Sequence, residues 1–261
     1  IVVVLVTDRA DAGDLAVAVQ DRAGKHALDV RDVLRVDGHR WWSLMCHDSE
    51  CCPPAGRHID DAVRAEVAAE FTVRGVAPLG ARDELARLIM SDPTAACVVA
   101  PFLATARPPS TRGATARERW RDDSIAAIVA TLTRDDSVPT DADRLAVLIA
   151  GLEDVRVRDT VLWEATRLES EDLQAALPIL AEAVRAAPSG RTAPVATCYA
   201  VAAWLVGDGA RALVALERAL ADDPEYSLGL LVLASIQGGL PPGGWRETMR
   251  EMSRDECRRS V

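Results

Sequence analysis

The densest run of chemically capable side chains is Trp41-Trp42-Ser43-Leu44-Met45-Cys46-His47-Asp48-Ser49-Glu50-Cys51-Cys52-Pro53-Pro54-Ala55-Gly56, flanked by His39 and His58. Three thiols and one imidazole, Cys46, His47, Cys51 and Cys52, fall within seven residues. Thiolate sulfur and imidazole nitrogen are the usual zinc donors, and zinc takes about four of them in a tetrahedron. The spacing departs from a zinc knuckle, in which two residues separate paired cysteines. Here four separate Cys46 from Cys51, and Cys51 is adjacent to Cys52. Neighbouring side chains of an extended segment point to opposite sides, so these two thiols are not expected to share an ion. The first expectation is therefore a structural loop with buried thiols. A metal centre built from Cys46, Cys51, Cys52 and His47 comes second, with zinc as its ion, and a redox or reactive thiol third. A disulfide from Cys46 to Cys51 or Cys52 is a further alternative. So is a nucleophile pair of Cys46 or Cys52 with His39 or His58.

The remaining candidates have simpler structural readings. Cys97 and Cys198 sit in apolar surroundings and are expected in the core, whereas Cys257 is near the end of the chain. Asp8 and Asp11 follow the first strand-like run, where open α/β sheets place ligands, yet turn and capping roles fit them better. Arg156, Arg158 and Asp159 open a helix and are expected to pair with one another in preference to binding an anion. Lys25 is the one lysine, and its context Ala23-Gly24-Lys25-His26 matches neither a Schiff-base nor a phosphate-loop pattern. Dinucleotide, phosphate-loop, nucleophile-elbow and paired-histidine zinc motifs are absent. No reaction is fixed, and whether the protein is an enzyme stays open.

A formal net charge of -10 argues against nucleic-acid partners, because phosphate binding needs clustered positive charge. The short basic stretch Arg117-Glu118-Arg119-Trp120-Arg121 reads as the solvated face of a helix. The longest apolar run, around 195–206, is interrupted by Thr197 and stopped by Gly207-Asp208-Gly209. It falls short of the roughly 20 residues of a membrane span, so no membrane partner is expected. Six cysteines in 261 residues do not make a disulfide scaffold, which points to the cytoplasm. The chain opens on Ile1-Val2-Val3-Val4-Leu5-Val6 without Met, as a piece of a longer protein would.

The elements that must position these residues divide into two kinds. Ile1 to Val6 predicts a strand buried on both faces, followed by a helix over 14–22. Two strands flank the turn dipeptide Asp37-Gly38 as a β-hairpin. After the cysteine-rich loop come helices from Asp60-Asp61 to about Thr72 and over 82–90. Arg107-Pro108-Pro109-Ser110-Thr111-Arg112-Gly113 is the linker candidate. Beyond it, helices are predicted over 114–132, 141–151, 157–168, 171–186, 193–206, 210–221, 226–237 and 243–252, with short loops. The fold class is thus an α/β (α+β) part with a small sheet and hairpin, residues 1–106, then a linker, 107–113, and an all-α domain, 114–261.

Gly207-Asp208, Ala212, Leu216, Ala219, Leu220 and Pro224 have the order and spacing of the second helix of a tetratricopeptide repeat. Small residues at 212 and 219 admit a partner helix, and Pro224 ends the unit. Ala196 stands where the first helix of such a repeat carries Trp, and no second copy follows.

Several of these segments together resemble an uncharacterised actinobacterial family, a domain of unknown function (family 4192 type). The resemblance rests on Arg40-Trp41-Trp42-Ser43 leading into Cys46, on Cys51-Cys52-Pro53-Pro54 and Gly56, and on Arg156-Val157-Arg158-Asp159. It continues through Gly207-Asp208-Gly209-Ala210, Ala219-Leu220, Asp223-Pro224 and Tyr226-Ser227-Leu228, spanning about Ile1 to Trp245. It implies no activity, cofactor or catalytic residue. The function expected from the residues is a cytoplasmic interaction or regulatory protein whose helical part packs on a protein partner or a second copy. The alternative is a metal- or thiol-dependent enzyme using residues 46–52.

Overall fold

The structure, a computed structural model, describes residues 1–9, 12–73, 82–108, 114–133 and 140–259. Two compact units divide the chain, Ile1–Pro78 and Leu79–Val261. Most of the linker candidate, residues 109–113, lies outside the described residues, as does Asp11.

In the first unit, β1 (Val2–Val6), β2 (Asp32–Asp37), β3 (Arg40–Ser43) and β4 (Arg57–His58) form one sheet in that order. β1 runs parallel to β2, joined through helix α1 (Gly13–Gly24), and the remaining pairs are antiparallel. The hairpin turns at Gly38 and His39, since Asp37 pairs with Arg40. Gly38 takes φ +56°, the left-handed region that a two-residue hairpin loop asks of its first position. Helix α2 (Asp61–Val73) follows β4.

β1 corrects one expectation. Among the described residues it is an edge strand, not a central one. Val2, Val4 and Val6 are exposed, Val6 to 82%, while Val3 and Leu5 are half-buried. Leu5 shares a cavity lining with Leu15, Ala18 and Val19 of α1. An unbroken apolar run does not separate a strand covered on both faces from one covered on a single face.

The second unit is helical. It comprises α3 (Arg82–Leu88), α4 (Pro93–Ala106), α5 (Ala114–Leu132), α6 (Ala142–Leu152), α7 (Val155–Ala165), α8 (Ser170–Ala186), α9 (Thr192–Leu205), α10 (Gly209–Asp222), α11 (Ser227–Gln237), α12 (Pro242–Glu251) and α13 (Arg254–Arg259). Apolar all round and buried along nearly its whole length, α9 is the central helix and contacts α6, α7, α8, α10, α11 and α12. Its alanines at 196, 200 and 203 and those of α10 at 212, 215 and 219 are fully buried, so the core is filled by close backbone approach where bulky side chains are scarce. The apolar run around 195–206 is accordingly a core helix.

Helix α4 was not anticipated from the sequence. Asp92 caps it, accepting from the backbone N–H groups of Thr94 and Ala95 at 3.0 and 3.1 Å, and Pro93 occupies the first turn. It packs on α6 and α8, burying Val99 and Leu103. Cys97, expected in the core, faces outward and is exposed. By length and composition alone Arg82–Ala106 is apolar enough to cross a membrane, and most of its apolar window is exposed. Residues 89–92 interrupt the helix between α3 and α4.

Arg121 is a further correction. It is 9% exposed, not solvated, because Asp154, which is remote in sequence, faces it across the fold.

Candidate functional sites

The cysteine-rich loop hangs from β3 and is strapped to the sheet at four points. Ser43 Oγ donates to Asp32 Oδ1 at 2.6 Å and accepts from the backbone N–H of Cys46 at 3.0 Å. Arg40 donates to the carbonyls of Ala55 and Gly56 at 2.9 and 3.0 Å. The Trp42 indole N–H donates to the carbonyl of Pro54 at 3.1 Å, and its ring carries the guanidinium of Arg35 at 4.3 Å. Arg57 of β4 reaches back to the carbonyls of Cys51 and Glu50. Within the loop, Asp48 is the pivot. Its carboxylate accepts from the backbone N–H of Glu50 at 2.8 Å, and its carbonyl accepts from Cys52 at 2.6 Å. An Asx turn of this kind bends the chain locally.

The bend overrides the argument drawn from extended geometry. The sulfur atoms of Cys46, Cys51 and Cys52 all lie within 4.8 Å of one another, so adjacent thiols do converge when the backbone turns between them. All three are thiols; Cys51 is exposed and the other two are half-buried. The expectation of buried thiols therefore fails at Cys51. His47 lies outside this group. His39 and His58 stack on each other with centroids 6.2 Å apart, at the turn end of β3, and His39 also touches Arg64 and Asp61. Among the described residues the geometry thus assembles three sulfurs, while His39 and His58 pair with each other.

The three thiols are electrostatically unequal. The backbone N–H of Asp48, and then the thiol of Cys52, hydrogen-bond to Cys46 and lower its pKa. Cys52 is pushed up to about 11, first because its S–H is committed to Cys46 and then by partial burial. A thiol whose pKa is lowered by neighbouring hydrogen-bond donors is a feature of reactive-thiol sites.

The helical unit holds a second candidate, an open cavity of about 330 Å³ lined by Leu162 of α7, Leu228 and Leu231 of α11, Trp245 and Met249 of α12, and Met252. Arg158 and Asp159 form its polar end. Arg158 donates to Asp159 Oδ1 from Nε and Nη2 at 2.9 and 2.7 Å, and from Nη1 to the Tyr226 hydroxyl at 2.8 Å. The predicted pairing of Arg158 with Asp159 is therefore present, while Arg156 Nη1 lies 3.4 Å from Glu118. Burial pushes Tyr226 up to about 12. The Trp163 indole N–H, donating to the carbonyl of Met252 at 2.9 Å, ties α7 to the turn before α13. Trp245 rests edge-on against Trp204 of α9 at 5.8 Å. The sequence flagged Arg158 and Asp159 but not this cavity, since its other walls are contributed by separate helices. The methionines at 249 and 252 beside Trp245 were the available signal.

No curated protein and no solved structure matches the chain. A family model matches residues 1–243, covering the sheet, the cysteine loop and the helices as far as the start of α12, and by that match the chain belongs to the family described as Domain of unknown function (DUF4192).

Proposed function

We propose that the protein is a cytoplasmic interaction or regulatory protein that uses its helical unit to seat an apolar segment of a protein partner. The carrying observation is the open cavity between α7, α11 and α12, with two methionines and a tryptophan among its walls. Apolar grooves of this kind accept the hydrophobic face of a helix or an extended peptide, and flexible methionines let the wall adapt to it. Leu231, 56% exposed at the rim, is the residue a partner would cover first. The likeness of α9 and α10 to a tetratricopeptide hairpin supports the same reading, since Ala212, Leu216 and Ala219 are buried as such a hairpin requires.

The test is affinity capture on the full chain, with light scattering to read self-association. A partner or second copy retained by the wild type, lost with Leu231→Asp and kept with Val98→Asp on α4, supports the reading. A strict monomer that retains nothing, or a partner indifferent to Leu231→Asp, overturns it. A second reading, a metal- or thiol-dependent enzyme, is favoured by the convergence of Cys46, Cys51 and Cys52. Turnover abolished by Cys46→Ser with the fold intact is the outcome it requires.

A further inference from the structure

We infer that Cys46, Cys51 and Cys52 form a zinc site with three protein sulfurs and a fourth coordination position left to solvent or an exogenous donor. The inference concerns binding alone and does not depend on either functional reading above.

Three observations carry it. First, the sulfurs lie within 4.8 Å of one another. Tetrahedral zinc with bonds of about 2.3 Å holds its sulfurs about 3.8 Å apart, so side-chain rotations of about an ångström close the group on an ion. Second, the loop is held open for it. Ser43, Arg40, Trp42 and Arg57 fix its two arms to the sheet, and Asp48 fixes the bend that turns Cys51 and Cys52 to the same side. The entropy of gathering three ligands is thereby met largely by the fold. Third, the donor set is all sulfur. Thiolates select zinc, copper(I) and iron–sulfur clusters over magnesium or calcium, and among these zinc most readily combines three protein ligands with an open fourth position.

Binding is balanced simply. Each thiol that is protonated releases its proton to solvent as its sulfur bonds the ion, and nothing is oxidised or reduced. Three thiolates and one Zn²⁺ leave one net negative charge, and the guanidinium of Arg57 sits on the neighbouring carbonyls of Cys51 and Glu50. No fourth nitrogen, sulfur or carboxylate ligand joins the group among the described residues. The external donor is therefore water or an added thiol or imidazole.

The experiment uses the full chain, reduced and stripped of metal, titrated with cobalt(II) and then with zinc in competition. The expected result is one equivalent bound, a sulfur-to-cobalt charge-transfer band, and an apparent zinc dissociation constant tighter than about 10 µM. Cys51→Ser, a change at an exposed position, should weaken zinc by more than the roughly 10- to 100-fold that loss of an outer-shell partner costs. Cys97→Ser and His47→Ala should leave zinc affinity unchanged, and added imidazole should shift the cobalt spectrum. Circular dichroism confirms that each variant folds; should Cys51→Ser fail to fold, Cys52→Ser takes its place. Weaker binding than about 10 µM, no charge-transfer band, or binding indifferent to Cys51→Ser overturns the site. A disulfide that forms in place of binding under reductant overturns it as well. Loss of binding in His47→Ala, or a cobalt spectrum blind to imidazole, overturns the open fourth position.

Discussion

Arg121 of α5 grips Asp154, the residue that caps α7, side on: its Nε lies 3.0 and 3.1 Å from the two carboxylate oxygens and its Nη2 lies 2.9 Å from Oδ2. Both side chains are 11% exposed. The same carboxylate accepts from the backbone N–H groups of Arg156 and Val157, so one group both starts a helix and neutralises a buried cation. Removing it leaves the guanidinium with Glu118 alone, at 2.7 Å. Asp154→Ala should therefore destabilise the helical unit by about 1–3 kcal/mol, the lost cap and the lost charge-assisted bonds together. Arg121→Met, which removes the charge and keeps the bulk, should cost less. Denaturant unfolding followed by circular dichroism reads both, and a loss below about 1 kcal/mol for Asp154→Ala would refute this account.

The pair also marks where sequence reasoning ends. The helices from α5 to α12 were legible to within about three residues at each end, because apolar periodicity and flanking Gly, Pro or Asp are local signals. The hairpin was legible for the same reason, although its turn falls one residue past the expected Asp37-Gly38, at Gly38-His39. Arg121 was not, since its partner lies 33 residues away and nothing local distinguishes a buried arginine from a solvated one. Helix α4 was hidden by Pro101 and by adjacent β-branched Val98 and Val99, although the Asp92-Pro93 start signal was there. The cysteine loop was found by composition, yet its spacing argued against convergence until the Asp48 turn was placed. The cavity beside Arg158 is assembled from α7, α11, α12 and Cys257 of α13 and has no linear signature.

Tyr199 and Tyr226 are the two tyrosines of the chain, and burial pushes each up to about 12. In the unfolded chain both should ionise near 10. The native state therefore keeps protons that the unfolded state gives up. The stability associated with the neutral phenols is complete below about pH 10 and is lost as pH rises toward about 12. Ultraviolet difference titration should show almost no phenolate in the folded protein at pH 10 and a jump on adding denaturant. Phenolate appearing at pH 10 in folded protein would contradict the burial of both rings. Tyr226→Phe should also lower stability by about 1–3 kcal/mol, since a donor of buried Arg158 loses its acceptor.

The lone thiols should separate under alkylation. Cys198 is fully buried and pushed up to about 12, so at neutral pH its reactive thiolate is scarce and its access closed. Cys97, in similarly apolar sequence, is exposed on α4. Mass spectrometry of folded protein treated briefly with iodoacetamide should find Cys97 modified and Cys198 intact, with denaturant bringing Cys198 up to the same extent. Equal modification of the two before unfolding would place α9 outside the core.

Gly56 should prove the least replaceable residue of the cysteine loop. It takes φ +74°, and a Cβ built there would lie 2.6 and 2.7 Å from Cζ2 and Nε1 of Trp42. Both effects act on the same strap, because Trp42 Nε1 donates to Pro54 and Arg40 donates to the Gly56 carbonyl. Alanine at 56 must therefore either strain the backbone or push the indole off the loop and away from Arg35. A loss of roughly 1–3 kcal/mol is expected for the first unit. Hydrogen exchange resolves where it falls. The amide of Cys46, held by Ser43, and that of Cys52, held by Asp48, should exchange faster in Gly56→Ala. Amides of α9 should be unaffected. If the loop amides keep their protection, the strap does not set the spacing of the thiols, and the sulfurs owe their convergence to the Asp48 turn alone.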